Sequence, residues 1–194
     1  HEIATHGYSH VIMNDELDEL SLNFELAGIE EFSKSKNINI TTIIFPRNVV
    51  SHKLLDRANY LQGFRSPPKQ ITSQKIIKRA LSLLKEFWPF CRSEKFRMYG
   101  KKLIIPGDFF VNWRSGLRRF VPIWLTILRF RIALNHACKY DGVVHIWLHP
   151  HNLLTGKDQL KLLESLLSVA NDYQNKHSLE ILTQRDCVSG NISL

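Results

Sequence analysis

Cysteine is scarce in this 194-residue chain, and what there is does not pair: Cys91, Cys138 and Cys187 are odd in number and never spaced as CxxC. That excludes a disulfide framework and a cysteine-rich zinc site, and leaves three reduced thiols as the expectation. No long apolar run is present either. The most apolar stretch, residues 120–134, is broken by Pro122, Arg129 and Arg131. No transmembrane segment is therefore expected, and a helix lying on a membrane surface is the membrane reading that stays open. Low-complexity tracts and internal repeats are absent, which argues against disorder and against solenoids. No signal peptide is visible. Because the chain opens on His rather than Met, the natural N-terminus is expected upstream. Acidic residues are outnumbered, 18 against 26 Lys and Arg, for a net charge of +8.

What is present fits one soluble globular domain over residues 1–194. The apolar fraction is 44% and the charged fraction 23%, both ordinary. A chain of this length buries about 70% of its unfolded surface. The basic residues gather at 75–79, 92–102 and 114–131, with Phe96, Tyr99, Trp113 and Phe120 among them. Two readings follow: solvated helix faces, or a groove that draws in an anionic or lipid-linked glycan. No recognised nucleic-acid motif accompanies the charge, so no nucleic-acid partner is expected.

Strand-like and helix-like runs alternate. Leu22, Leu26, Ile29 and Phe32 recur at helical spacing and predict a helix over 21–36. Residues 38–45 are β-branched and nearly continuous, the pattern of a strand buried on both faces, and Pro46 stops it. Strands are expected at 1–6, 60–65, 102–105, 143–148 (fully buried) and 179–182. Helices are expected at 49–58, 73–87, 122–139 and 158–173, the last with a stripe of Leu160, Leu163, Leu166, Leu167 and Ala170. Residues 106–113 read as an aromatic-rich loop. This alternation implies βα units around a mostly parallel sheet, with barrel and open sheet left undecided by periodicity. In such folds the chemistry sits at the C-terminal ends of strands. Three strands end in unusual polar sequence: at His6, at Phe45-Pro46-Arg47-Asn48, and at His149-Pro150-His151-Asn152. Those ends are expected to converge on one face.

His6 and His10 are four apart, so a helical turn would project both imidazoles from one side toward a single ion; alternatively they are surface or capping histidines. Catalytic zinc takes three protein ligands. Asp15, Asp108 and Asp141 are the candidates for the third, none favoured by spacing. His149 follows a strand, where a histidine serves either as a general acid or as a partner for a loop carbonyl. His151, two residues on, would face the opposite side of an extended chain and reads as a rim residue. Arg47 could orient a carboxylate through paired hydrogen bonds or lie solvated on the rim. Trp147 and Leu148 could line a small apolar pocket, and Asp108 is the weakest candidate.

Taken together, these segments resemble the polysaccharide deacetylase (NodB-homology) carbohydrate esterases. His1-Glu-Ile-Ala-Thr-His6-Gly-Tyr-Ser-His10 resembles the family's second motif, HEIxxHTxSH, with Gly7 where Thr or Ser is usual. Ile43-Ile-Phe-Pro-Arg-Asn48 resembles the third-motif region in a branch that replaces the commoner RxPY form. Ile146-Trp-Leu-His-Pro150 resembles the fifth motif, and 181–183 the closing strand. The resemblance implies a distorted (β/α) barrel and hydrolysis of an acetyl group on an N-acetylated sugar of a polysaccharide or glycan precursor. It implies a divalent metal, zinc with cobalt or nickel as alternatives, held by one Asp and by His6 and His10. The metal would polarise the acetyl carbonyl and acidify a water, and His149 would protonate the leaving amine. Arg47 would orient the base; Trp147, Leu148, His151, Asn152 and Asp108 would contact substrate. The family's TFDDG-like first motif is missing, because no two aspartates adjoin in the chain. It is expected upstream of His1, which makes 1–194 an N-terminally truncated domain. The fourth motif survives only as a loose echo in 108–113. An inactive, deacetylase-like glycan-binding domain is the alternative expectation.

Overall fold

The structure is a computed structural model that describes residues 1–67, 84, 86–111 and 114–190; the helix expected over 73–87 lies almost wholly outside them. The chain divides into two compact units. The first takes His1–Pro67, Phe96–Pro106 and Leu182–Leu194; the second takes Pro68–Lys95 and Gly107–Ile181.

In the first unit, α1 (Glu19–Lys36) starts where the Asp18 carboxylate accepts from the Ser21 N–H at 2.9 Å, and ends at Asn37, which is left-handed at φ 52°. Glu19 in its first turn and Lys34 and Lys36 in its last suit the helix dipole. Ser51 caps α2 (His52–Arg57) through the Leu54 N–H. Three strands run parallel, β1 (Thr42–Ile43), β2 (Gly63–Arg65) and β4 (Lys102–Ile105), in register Ile43↔Phe64 and Phe64↔Ile104. β3 (Arg97–Tyr99) pairs antiparallel with β4 on the outer edge, giving the order β1-β2-β4-β3. Thr5 adds a parallel bridge to Ile43 on the other edge. Met13, Leu22, Ile43, Phe45, Leu54 and Leu55 are all at most 1% exposed and form the core. Each such side chain stabilises the fold by about 1.5–3 kcal/mol.

In the second unit, β5 (Phe109–Phe110) and β6 (Ile146–Trp147) pair in parallel, Phe109 opposite Ile146. Two long helices, α3 (Ile123–Tyr140) and α4 (Gln159–Lys176), pack Phe130 and Leu134 with Leu162, Leu166 and Val169.

The class expected from sequence is therefore observed: α/β with mostly parallel strands. Among the described residues neither sheet closes on itself. Several local expectations change. The run 38–45 shortens to Thr42–Ile43, which pairs with β2 on one side and with Thr5 on the other. The loop 106–113 contains β5, and 143–148 yields only Ile146–Trp147, half-buried rather than fully buried. The α4 stripe is displaced: Gln159, Leu162, Leu166 and Val169 face inward, leaving Leu160 and Leu167 over half exposed. No strand forms at 179–182. The chain instead enters α5 (Gln184–Val188) through a capping box, in which Thr183 and Asp186 bond each other's backbone N–H. No helix among the described residues is long and apolar enough to cross a membrane.

Candidate functional site

His6 is the first residue past the Thr5 bridge. Its Nδ1 lies 2.5 Å from the carbonyl oxygen of Ile44. A carbonyl can only accept, so Nδ1 carries the proton, and in the neutral ring this tautomer leaves the lone pair on Nε2. This is how a metal-binding imidazole is held when its second nitrogen is anchored to backbone. His10 meets it, with ring centroids 4.8 Å apart and planes at 68°.

The turn between the two histidines is not helical. Gly7 has φ 85° and His10 φ 62°. The cause is Glu25 on the inner face of α1, only 1% exposed. Its carboxylate accepts from the N–H of Tyr8 at 2.7 Å, the N–H of Ser9 at 3.1 Å and the Ser9 hydroxyl, and so draws the turn inward. Such bonds to a charged acceptor are about twice as strong as neutral ones. The fold also accounts for Gly7: its φ of 85° disfavours a side chain, and a Cβ there would lie 2.5 Å from Met13 Cε and 3.2 Å from Glu25 Oε2, so that Met13 would have to shift. Glu25 escaped the sequence reading, although a lone acid on the same helical stripe as Leu22 and Ile29 marks a carboxylate carried into the core.

At the ends of β1 and β2 the structure separates two arginines. Arg47 is exposed, at φ 53°. Arg65, which ends β2, is 7% exposed and donates from Nη2 to Asn48 Oδ1 at 2.6 Å, tying the two parallel strand ends together. Burial pulls its guanidinium down to about 10. The readable signal was Arg65-Ser66-Pro67, an R-x-P sequence directly after a strand.

The three aspartates weighed as a third ligand are engaged elsewhere. Asp15 accepts from Ser51 Oγ and from the N–H of Lys53, both at 3.1 Å; the latter bond is the main cause that holds its carboxyl below the usual range. Asp141 ends α3 in left-handed conformation. Asp108 belongs to the second unit. The two imidazoles stand edge to face, and among the described residues no group of three His, Cys, Asp or Glu side chains that could hold a metal ion is assembled. Beside His10, a groove of about 590 Å³ opens between Ser9 and Val11 on one side and Leu20, Phe24 and Ala27 of α1 on the other.

In the second unit, His149 is exposed just past β6. Its ring stands at 90° to Trp147, 5.7 Å away, and stacks on His151 at 5.3 Å and 10°. The chain does not stay extended as expected: a 3-10 turn at Pro150–Leu154 swings His151 back onto His149. Asn152 lies inside that turn with 0% exposure, its N–H donating to the carbonyl of His149 at 2.8 Å, rather than on a rim. Leu148 packs against the core of the unit, and Trp147 Nε1 donates to the Gly107 carbonyl at 3.3 Å. Asp108 stands at the opposite end of the strand pair from His149, where its Oδ1 accepts from the N–H of His145 at 3.1 Å. Burial there raises its carboxyl to about 6.

The cysteines are free, as expected. Burial raises the Cys91 thiol and takes that of Cys187 to about 11, so neither offers a ready thiolate. A scan against protein-family models, a search of curated proteins and a search of solved structures each find no match.

Proposed function

We propose that this chain carries part of the machinery of a metal-dependent carbohydrate deacetylase, with His6 and His10 as two ligands of a divalent cation such as zinc. The observation that supports this reading is the pairing of those rings at 4.8 Å, with the Nδ1 of His6 fixed on the carbonyl of Ile44. The cation would serve as a Lewis acid toward an acetyl carbonyl. In this reading Arg65, rather than the exposed Arg47, orients a carboxylate: it is the buried cation at a strand end, and Arg65-Ser66-Pro67 keeps the R-x-P order of the commoner third motif. The resemblance gives His149, carried by the second unit, the role of proton donor to a leaving amine, one open to an imidazole at neutral pH. The groove beside His10 gives the substrate room to approach. The finer fold expectation, a distorted (β/α) barrel, belongs to the same proposal.

The test combines metal uptake with turnover. Cobalt binding, followed by its visible absorption, is expected to fall by at least tenfold in His6→Ala and His10→Ala and to persist in His149→Ala. Acetate release from an N-acetylated glycan is expected to fall in all three. A protein that takes up no cobalt and releases no acetate with zinc, cobalt or nickel retires the reading. One observation favours a second reading, a glycan-binding domain without turnover: no third ligand joins the histidine pair among the described residues. It requires glycan affinity that a chelator leaves unchanged.

A further inference from the structure

The second unit exposes apolar surface that its own core does not use. Leu117 (63% exposed) and Phe120 (59%) project from the 3-10 turn Gly116–Phe120, and Trp124 (65%) and Leu128 follow on one face of α3 at four-residue spacing. Trp88 (61%) and Phe90 (71%) add a second pair of rings, 6.0 Å apart. Their segment is tied to this region by Arg118 Nε donating to Glu86 Oε1 at 2.9 Å and by Arg129 donating to the Glu86 carbonyl at 3.5 Å. Isolated exposed apolar residues need no explanation, but a cluster of this kind marks an interaction surface.

The charge on its main stretch is of one sign, and the acid beside it, Glu86, is paired with Arg118. Residues 114–131 contain five arginines and no Asp or Glu. Arg114 fixes the 3-10 turn by donating to the carbonyls of Val121 and Arg119, and the Arg119 guanidinium lies over the Phe120 ring at 4.8 Å. Aromatic and leucine side chains rimmed by arginine suit the boundary between anionic headgroups and acyl chains. A second copy of the same face would bring arginine against arginine. A nucleic acid could stack on the rings but would leave Leu117 and Leu128 exposed to water, and no recognised nucleic-acid motif accompanies the charge. The helix carrying the patch is not apolar enough to cross a bilayer, so contact would be with its surface.

We propose that this face of the second unit, centred on Phe120 and Trp124, docks the protein peripherally on anionic lipid bilayers. The inference goes beyond the proposed hydrolysis and does not rest on it. The test is co-sedimentation of the full chain with vesicles of phosphatidylcholine alone and of phosphatidylcholine with an equal part of phosphatidylglycerol. Binding is expected to the anionic vesicles only, with a blue shift of tryptophan emission and weakening as salt is raised. Arg119→Gln and Arg131→Gln are each expected to lower the vesicle partition constant about fivefold, and Trp124→Ala by on the order of tenfold. Leu160→Ala, an exposed leucine on α4, is expected to bind like the parent. Four outcomes would overturn the proposal: no co-sedimentation, equal binding to neutral vesicles, unchanged binding by Trp124→Ala of parental circular dichroism, or self-association through the patch in place of vesicle binding. Tighter binding to duplex DNA or RNA than to the vesicles would overturn it as well.

Discussion

Each described α-helix of the first unit begins on a side-chain cap, Asp18 for α1, Ser51 for α2 and Thr183 for α5. The two long helices of the second unit begin at Pro122 and Asp158 with no side-chain cap bond. The same contrast runs inward. Among the described residues the first unit buries two charged side chains, Glu25 on α1 and Arg65 at the end of β2, whereas the buried polar side chains of the second, Thr126, Asn152 and Gln159, are uncharged and its core is largely leucine, valine and phenylalanine. His6 and His10 are accordingly held by a buried carboxylate and a backbone carbonyl, and His149 by ring-on-ring contacts with Trp147 and His151. Polar anchoring fixes a geometry at the cost of desolvation, and suits a site that must hold a cation. Apolar anchoring leaves surface free for docking.

The contrast breaks most visibly at Glu25. Glu25→Ala removes an acceptor of three hydrogen bonds and releases the turn from Tyr8 to Ser9. A loss of about 3 kcal/mol is expected, because bonds to a charged group count for roughly 1.5–3 kcal/mol each but are not additive. Urea unfolding followed by circular dichroism measures it, and cobalt uptake should be lost even where the variant stays folded. A loss below about 1 kcal/mol would show that the carboxylate is incidental to the turn. Gly7→Ala comes next, at about 2 kcal/mol: a non-glycine residue at φ 85° costs about 1–2 kcal/mol, and its Cβ must also displace the terminal methyl of the buried Met13. Gly7→Ser should cost the same, although Ser suits the family pattern.

What the sequence made legible follows from how local each cause is. α1, α3 and β4 were readable within a few residues, because their apolar periodicity lies within the element. α4 was readable as a helix but not in its rotation: Leu160, Leu162, Leu163, Leu166 and Leu167 spread over almost half its circumference, and tertiary packing chose which part of that arc faces inward. β3, with its exposed Arg97 and Met98, carries no period at all and exists because β4 offers it an edge. Thr183-x-x-Asp186 was a legible capping box, overridden by the apolar run before it. At the candidate site the histidines announced themselves by spacing. Glu25 and Arg65 did not, since their partners lie 16 or 17 residues away in sequence.

Asp108 gives the second unit its one strongly shifted carboxyl among the described residues, and with it the smallest but most diagnostic effect. Burial raises it from 3.8 to about 6, against the lowering pull of the His145 N–H, and its Oδ2 is buried with no hydrogen-bond partner. Between those two values the folded protein keeps a proton that the unfolded chain gives up. Stability therefore falls as pH rises through this window and is flat above it. Asp108→Asn removes the titration and keeps an oxygen for the His145 N–H. The full shift corresponds to about 3 kcal/mol, reduced by partial exposure and by the new amide's unpartnered N–H, so a gain of about 1–2 kcal/mol is expected at pH 7.5. That gain should shrink as pH falls from about 6 toward 3.8 and vanish below about pH 3, where the parent carboxyl is protonated in both states. Unfolding curves that stay parallel across this range would mean that the carboxylate is solvated, and that the second unit's interior is as hospitable to charge as the first.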